Sequence, residues 1–191
     1  PTIEVELVGG EKPELDRGPI VQRVTRDSAT IVIETDLPAP AEVHFGASGD
    51  ALTRRAAASS THPVWHHEIA LTRLEPSARV FYRVVTPFFQ TPVYSFHPAP
   101  APQDVIRLAV FGDVRSGHAV HARISAALLD EALDFVVTTG DQVTRGTDEG
   151  DWQKFFAIAK DVLASVPYYP VIGNHDMGNS GARKRRLEDV F

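Results

Sequence analysis

Two kinds of hydrophobic pattern divide this chain. Up to about residue 98, short runs rich in β-branched and aromatic residues recur between turn residues: Pro19 to Val24, Ala29 to Thr35, Ala41 to Phe45, His66 to Leu71, Val80 to Thr86 and Pro92 to Phe96. Runs of this length and spacing predict an all-β sandwich. In the second run Ala29, Ile31 and Ile33 alternate with Thr30, Val32 and Glu34, so one face of the strand is core, while Val32 makes the other face more apolar than contact with water requires. The alternating prolines of Tyr94 to Gln103 (YSFHPAPAPQ) favour an extended connector. After them the pattern becomes strand, helix, strand, helix, strand. Val105 to Phe111, broken only by Arg107, Phe135 to Val137 and Tyr168 to Ile172 are apolar runs of the kind buried on both faces of a parallel sheet. Between them Val120, Ile124, Ala127, Leu128 and the polar Glu131 recur at helical spacing. Trp152, Phe155, Phe156, Ala159, Val162, Leu163 and Val166 do so more cleanly, with Thr147 and Asp148 as N-cap candidates. The expected organisation is multi-domain: a β-sandwich over 1–98, a Pro-rich linker over 99–104 and an α/β (βαβαβ) part over 105–191.

Composition narrows the chemistry. With 19 Lys and Arg against 25 Asp and Glu the formal net charge is −6, so a grip on nucleic-acid phosphates or on an anionic membrane has no support. No run approaches the roughly 20 apolar residues of a membrane helix. Cysteine is absent, which removes disulfides and thiolate ligands and leaves His, Asp, Glu and Asn as metal donors. The one dense basic run, Arg183-Lys184-Arg185-Arg186, reads as a solvated helix face more than as a device for steering anions. His66 and His67 are adjacent in a strand and face opposite sides, so they do not share a metal. His121 reads as a surface residue near a helix start.

The most informative feature is an echo at the strand ends: Phe111-Gly112-Asp113, Thr139-Gly140-Asp141 and Ile172-Gly173-Asn174. Successive motifs are separated by about one βαβ unit, roughly 30 residues, so each advances one strand along the sheet. A parallel sheet delivers its strand C-termini to one edge, where open α/β sheets bind ligands. Three short oxygen-bearing side chains would converge there, and such donors suit hard or borderline divalent cations. A glycine before each allows a sharp turn and close approach.

In order and spacing these residues, ending in Gly173-Asn174-His175-Asp176, resemble the first three motifs of calcineurin-like metallophosphoesterases. The preceding sandwich makes the chain most similar to the purple acid phosphatase branch. Within it, Leu71 to Val84 resembles the turn into the penultimate strand of fibronectin type III domains, with Tyr82 placed to pin that corner. The resemblance implies a phosphomonoester or phosphodiester hydrolase with two divalent or trivalent metal ions, Fe, Mn or Zn. Asp113 corresponds to a ligand of the first metal, Asp141 to the carboxylate bridging both, and Asn174 to an amide ligand of the second. His175 corresponds to the residue that contacts the phosphoryl group or protonates the leaving oxygen, with Asp176 orienting it. The resemblance permits a secreted or periplasmic location.

Where many such enzymes place a His two residues after the first Asp, this chain has Arg115, which cannot ligate a metal but can hold a substrate phosphate; His118 is a second substrate-binding candidate. Thr144 stands where purple acid phosphatases carry a Tyr, so no ferric-tyrosinate colour is expected. No histidine follows His175, whereas the family pattern continues with further histidine ligands. The expectation is a front portion of a longer enzyme, binding metal weakly and turning over poorly without the rest. The rival reading is a non-catalytic binding protein with a degenerate phosphoesterase-like part.

Overall fold

A computed structural model describes residues 10–58 and 64–177; His62 and the basic run Arg183 to Arg186 lie outside the described residues. The first part is a sandwich of β1 (Leu15–Gln22), β2 (Ser28–Ala39), β3 (Glu42–Gly46), β4 (Arg54–Ala57), β5 (Val64–Thr72), β6 (Val80–Val85) and β7 (Tyr94–Phe96). One antiparallel sheet is ordered β1-β2-β5 and the other β4-β3-β6-β7, a fibronectin type III-like arrangement. Alternation decides which side chains meet inside: Val21, Ile31, Ile33, Ile69 and Leu71 from one sheet face Val43, Phe45, Tyr82, Val84 and Phe96 from the other, all buried. The strand without a hydrophobic signature, β4, pairs with β3, and the Arg54 guanidinium lies over the Phe45 ring at 4.5 Å.

No helix or strand occurs between Phe96 and β8 (Leu108–Phe111). The chain then forms α1 (His118–Asp130), β9 (Phe135–Thr138), α2 (Glu149–Ser165) and β10 (Tyr168–Pro170), with a parallel sheet ordered β10-β9-β8. Asp148 caps α2, its side chain accepting from the Asp151 N–H, while α1 starts from Gly117 without a side-chain cap. Both helices pack on one face of this sheet, through Leu128, Phe155, Ala159, Val162 and Leu163 against Val136 and Tyr168. Among the described residues the other face is left open, and this corrects the expectation for Val105 to Phe111. That strand begins only at Leu108, and Leu108 and Val110 are 46% and 58% exposed because nothing among the described residues packs on their side. No helix among the described residues is long and apolar enough to cross a membrane.

The sandwich and the α/β part share a core. Ile20 and Val32 belong to the same buried cluster as Trp152, Phe155 and Phe156, which explains the apolar second face of β2: Val32 packs toward α2. Polar groups follow. Gln22 Nε2 donates to the Tyr168 carbonyl at 2.7 Å, and the buried Arg17 pairs with Glu34 and Glu149 and lies over the Phe156 ring.

Tyr82 departs from the corner role. Its hydroxyl is fully buried and donates to the Ala164 carbonyl in the last turn of α2 at 2.7 Å, so it ties the sandwich to the second part instead of pinning its own loop. Burial holds the phenol well above its ordinary pKa, so it stays a donor. Tyr82→Phe strands that carbonyl in the core and should cost about 1–2 kcal/mol in urea unfolding; an unchanged unfolding midpoint would mean the bond contributes nothing.

Candidate metal centre

The two aspartates of the glycine motifs adopt the same unusual conformation. Asp113, after β8, and Asp141, after β9, are both left-handed, with φ of 57° and 58°, a region that L-residues enter at a cost and Asp tolerates better than most. Strain repeated at two equivalent strand ends marks a built feature of the sheet edge. Two glycines make it possible. Gly140 has a φ of 107°, closed to other residues, and a Cβ on Gly173 would lie 2.1 Å from Asp141 Oδ1.

Three loops are stitched together at this edge. Asp113 N–H donates to the Gly140 carbonyl at 3.1 Å and Arg115 N–H to the Asp141 carbonyl at 3.0 Å, joining the loops after β8 and β9. The His175 N–H donates to Asp141 Oδ1 at 3.1 Å, joining the loop after β10. Asp141 is buried and Asp113 is open to solvent, yet one atom meets both: Arg115 Nη1 donates to Asp113 Oδ1 at 2.5 Å and to Asp141 Oδ2. The guanidinium expected to face substrate is therefore turned inward onto the two carboxylates. Asn174 sits in the third loop, exposed, between residues whose backbone N–H groups bond Asp176 and Asp141. His118, the first residue of α1, is also exposed.

Asp176 is buried and has a structural task. Oδ2 accepts from the N–H groups of Asp141 and Gly173, both at 2.9 Å, and Oδ1 accepts from Val143 N–H at 3.1 Å. Burial raises its pKa above the usual carboxylate value, against the opposing pull of these donors. The orienting role expected of Asp176 toward His175 falls to another group: His175 Nδ1 meets the Thr144 carbonyl at 2.9 Å. A carbonyl only accepts, so Nδ1 carries the proton and Nε2 is left for an incoming oxygen. Thr144 also donates its hydroxyl to the Arg115 carbonyl at 2.8 Å. Its carbonyl is a functional group that no side-chain pattern in the sequence signals.

His121 is corrected as well. It is 2% exposed and stacks on Phe155 with ring centroids 5.7 Å apart, in the α1–α2 seam.

Among the described residues no three His, Asp or Glu side chains are gathered to enclose a metal. The structure brings together two carboxylates that share one positive charge, while the exposed Asn174 lies in the adjoining loop. Oxygen donors of this kind fit a hard or borderline cation, as part of a coordination sphere.

The calcineurin-like phosphoesterase family model matches residues 106–191. The fold is similar to that of a purple acid phosphatase from yellow lupin (Lupinus luteus) seeds, with a TM-score of 0.71 and 18% identity, over 94% of this chain and 40% of that one. It is also similar to PhoD, with a TM-score of 0.60 and 16% identity, over 84% of this chain and 39% of that one. At such identities the likeness concerns the fold, and this chain spans about two fifths of either structure's length. No curated protein matches it.

Proposed function

We propose, from the match of residues 106–191 to the calcineurin-like phosphoesterase family model, that this chain carries part of a metal-dependent phosphoester hydrolase site. The observation that supports it most directly is the meeting of Asp113 and Asp141 on one cationic atom at the C-terminal edge of the parallel sheet. Asp113, Asp141 and the Asn174 amide oxygen would hold metal, with Asp141 between the other two loops. Bound there, two metal ions such as Fe, Mn or Zn supply charge that acidifies water and stabilises phosphoryl oxygens.

The chain's own residues supply the rest. The backbone bonds among the three loops hold the donors in place without reorganisation, as electrostatic stabilisation requires. His175 is fixed by Thr144 with Nδ1 as the donor, and once Nε2 also carries a proton it can donate to a phosphoryl oxygen or pass that proton to a leaving oxygen. Arg115 and the exposed His118 lie on the loop and helix start after β8, where an anionic substrate can be received. Substrates would be phosphomonoesters or phosphodiesters, and a secreted or periplasmic setting agrees with the fold relationship.

The rival reading, a binding protein with a degenerate site, draws on Arg115, which already pairs with both carboxylates. Hydrolysis of a chromogenic phosphoester by the full-length gene product, with added Mn2+, Zn2+ or iron, separates the two. Asp141→Asn should lower turnover by at least about a thousandfold, on the scale expected when a group acting chiefly in the transition state is lost. Turnover within threefold of the parent would remove Asp141 from the chemistry, and no turnover in the parent would favour the rival.

A further inference from the structure

We propose that Arg115 is a tethered cation standing where a metal ion would stand, so that metal entry and the inward position of its guanidinium exclude each other. The inference rests on the metal-centre reading and adds a regulatory element to it. Arg115 Nη1 is within hydrogen-bonding distance of Asp113 Oδ1 and Asp141 Oδ2 simultaneously. A divalent ion using those two oxygens would have to lie about 2.0–2.6 Å from each, which is the space the Nη1 group fills. Two cations cannot share it, since like charges this close repel strongly away from bulk water.

The backbone allows one solution. Arg115 is pinned on both sides, its N–H on the Asp141 carbonyl at 3.0 Å and its carbonyl on the Thr144 hydroxyl at 2.8 Å, so the residue cannot leave with its loop. Its side chain is 29% exposed and ends a flexible aliphatic stem, so it can swing outward while its Cα stays. Asp113 is 74% exposed and gives up its half of the contact readily, whereas Asp141 is only 12% exposed and holds the other half more firmly. Without metal, Arg115 offsets one of the two neighbouring carboxylate charges and ties the loops after β8 and β9 together. With metal, the freed guanidinium stays beside the site, where its planar fork can take a phosphate in a bidentate grip. Metal affinity is thereby lowered by a charge that the chain carries itself.

The test is calorimetric titration of Mn2+ into the full-length protein and its Arg115→Gln and Arg115→Lys variants. Arg115→Gln should bind Mn2+ at least about tenfold tighter than the parent, because the competitor has lost its charge. Arg115→Lys should stay near the parent value. Without metal, Arg115→Gln should melt at a lower temperature than the parent, and Mn2+ should raise its Tm by more. Should the Gln variant not fold, the parent itself reports: nitrogen NMR signals of the Arg115 guanidinium should shift on saturation with diamagnetic Zn2+ as its carboxylate bonds are lost. Mn2+ binding of equal strength in parent and Gln variant, or guanidinium signals unmoved by bound Zn2+, overturns the tethered-cation inference and leaves the metal centre standing. If neither protein binds Mn2+ at millimolar concentration, the metal-centre reading fails first and this inference with it.

Discussion

Asp176→Ala should lower the unfolding free energy by about 3–5 kcal/mol, the range for breaking a buried, multiply bonded charge. Three N–H donors, those of Asp141, Val143 and Gly173, depend on this one side chain, and all three belong to loops that carry the site. Water cannot readily replace it, because the carboxylate is 2% exposed. Asp176→Asn tests the same idea at constant shape. An amide offers one acceptor oxygen where the carboxylate uses two, so its NH2 group must confront a backbone N–H, and most of the loss should remain. Urea unfolding measures the stability, and amide hydrogen exchange at the three positions shows whether the loops have loosened. Slow exchange retained in both variants would show that the glycine turns alone hold these loops.

The second large effect is on acid stability. His121 is buried against Phe155, and its Nε2 has no hydrogen-bond partner among the described residues. Burial pushes its pKa down to about 4, with the nearby His118 adding in the same direction. The unfolded chain takes up a proton on this histidine near pH 6.5, while the folded protein resists doing so until about pH 4. A group whose folded pKa is depressed stabilises the protein above its unfolded pKa and loses that contribution as the pH falls through the folded value. Between pH 6.5 and 4 the parent should therefore lose about 3 kcal/mol through His121 alone, at roughly 1.4 kcal/mol per pKa unit. His121→Leu, which preserves an apolar filling of the seam, should flatten the pH dependence by that amount and change stability at pH 8 far less. Urea midpoints at several pH values make the comparison. A parent and variant with parallel pH profiles would place the acid sensitivity elsewhere. Burial depresses the pKa of His67 in β5 too, so a smaller acid loss should persist in the variant.

Much of this architecture was legible because its signals are local. Alternation in β2, the 3.6-residue period of α2 and the Asp148 cap each depend on residues within a few positions of one another. The same is true of the glycine-preceded polar residues: a Gly before an Asp at the end of an apolar run is a strand-to-loop turn whatever surrounds it, and parallel pairing of β8, β9 and β10 then carries the turns to one edge. β4 escaped notice because Arg54 to Ala57 has no strand propensity of its own and is recruited by pairing with β3. The first strand of the α/β part misled in the opposite way. An apolar run announces burial, but which of its faces is covered depends on elements far along the chain, and here both helices lie on one side.

The sequence by itself determined the two-part organisation and the glycine turns that follow the parallel strands, and it offered the side chains proposed to bind a cation, since each follows from periodicity, turn chemistry and donor type over short stretches. Only the tertiary structure decided what those side chains touch. It turned Tyr82 from a corner pin into a bridge to Ala164, took Val32 and His121 into the core, gave Asp176 to the backbone of two loops and passed His175 to Thr144. It also laid Arg115 across Asp113 and Asp141. The reason is that a hydrogen bond or an ion pair depends on distances of a few ångströms between residues dozens of positions apart, and those distances exist only once the sheets and helices have packed.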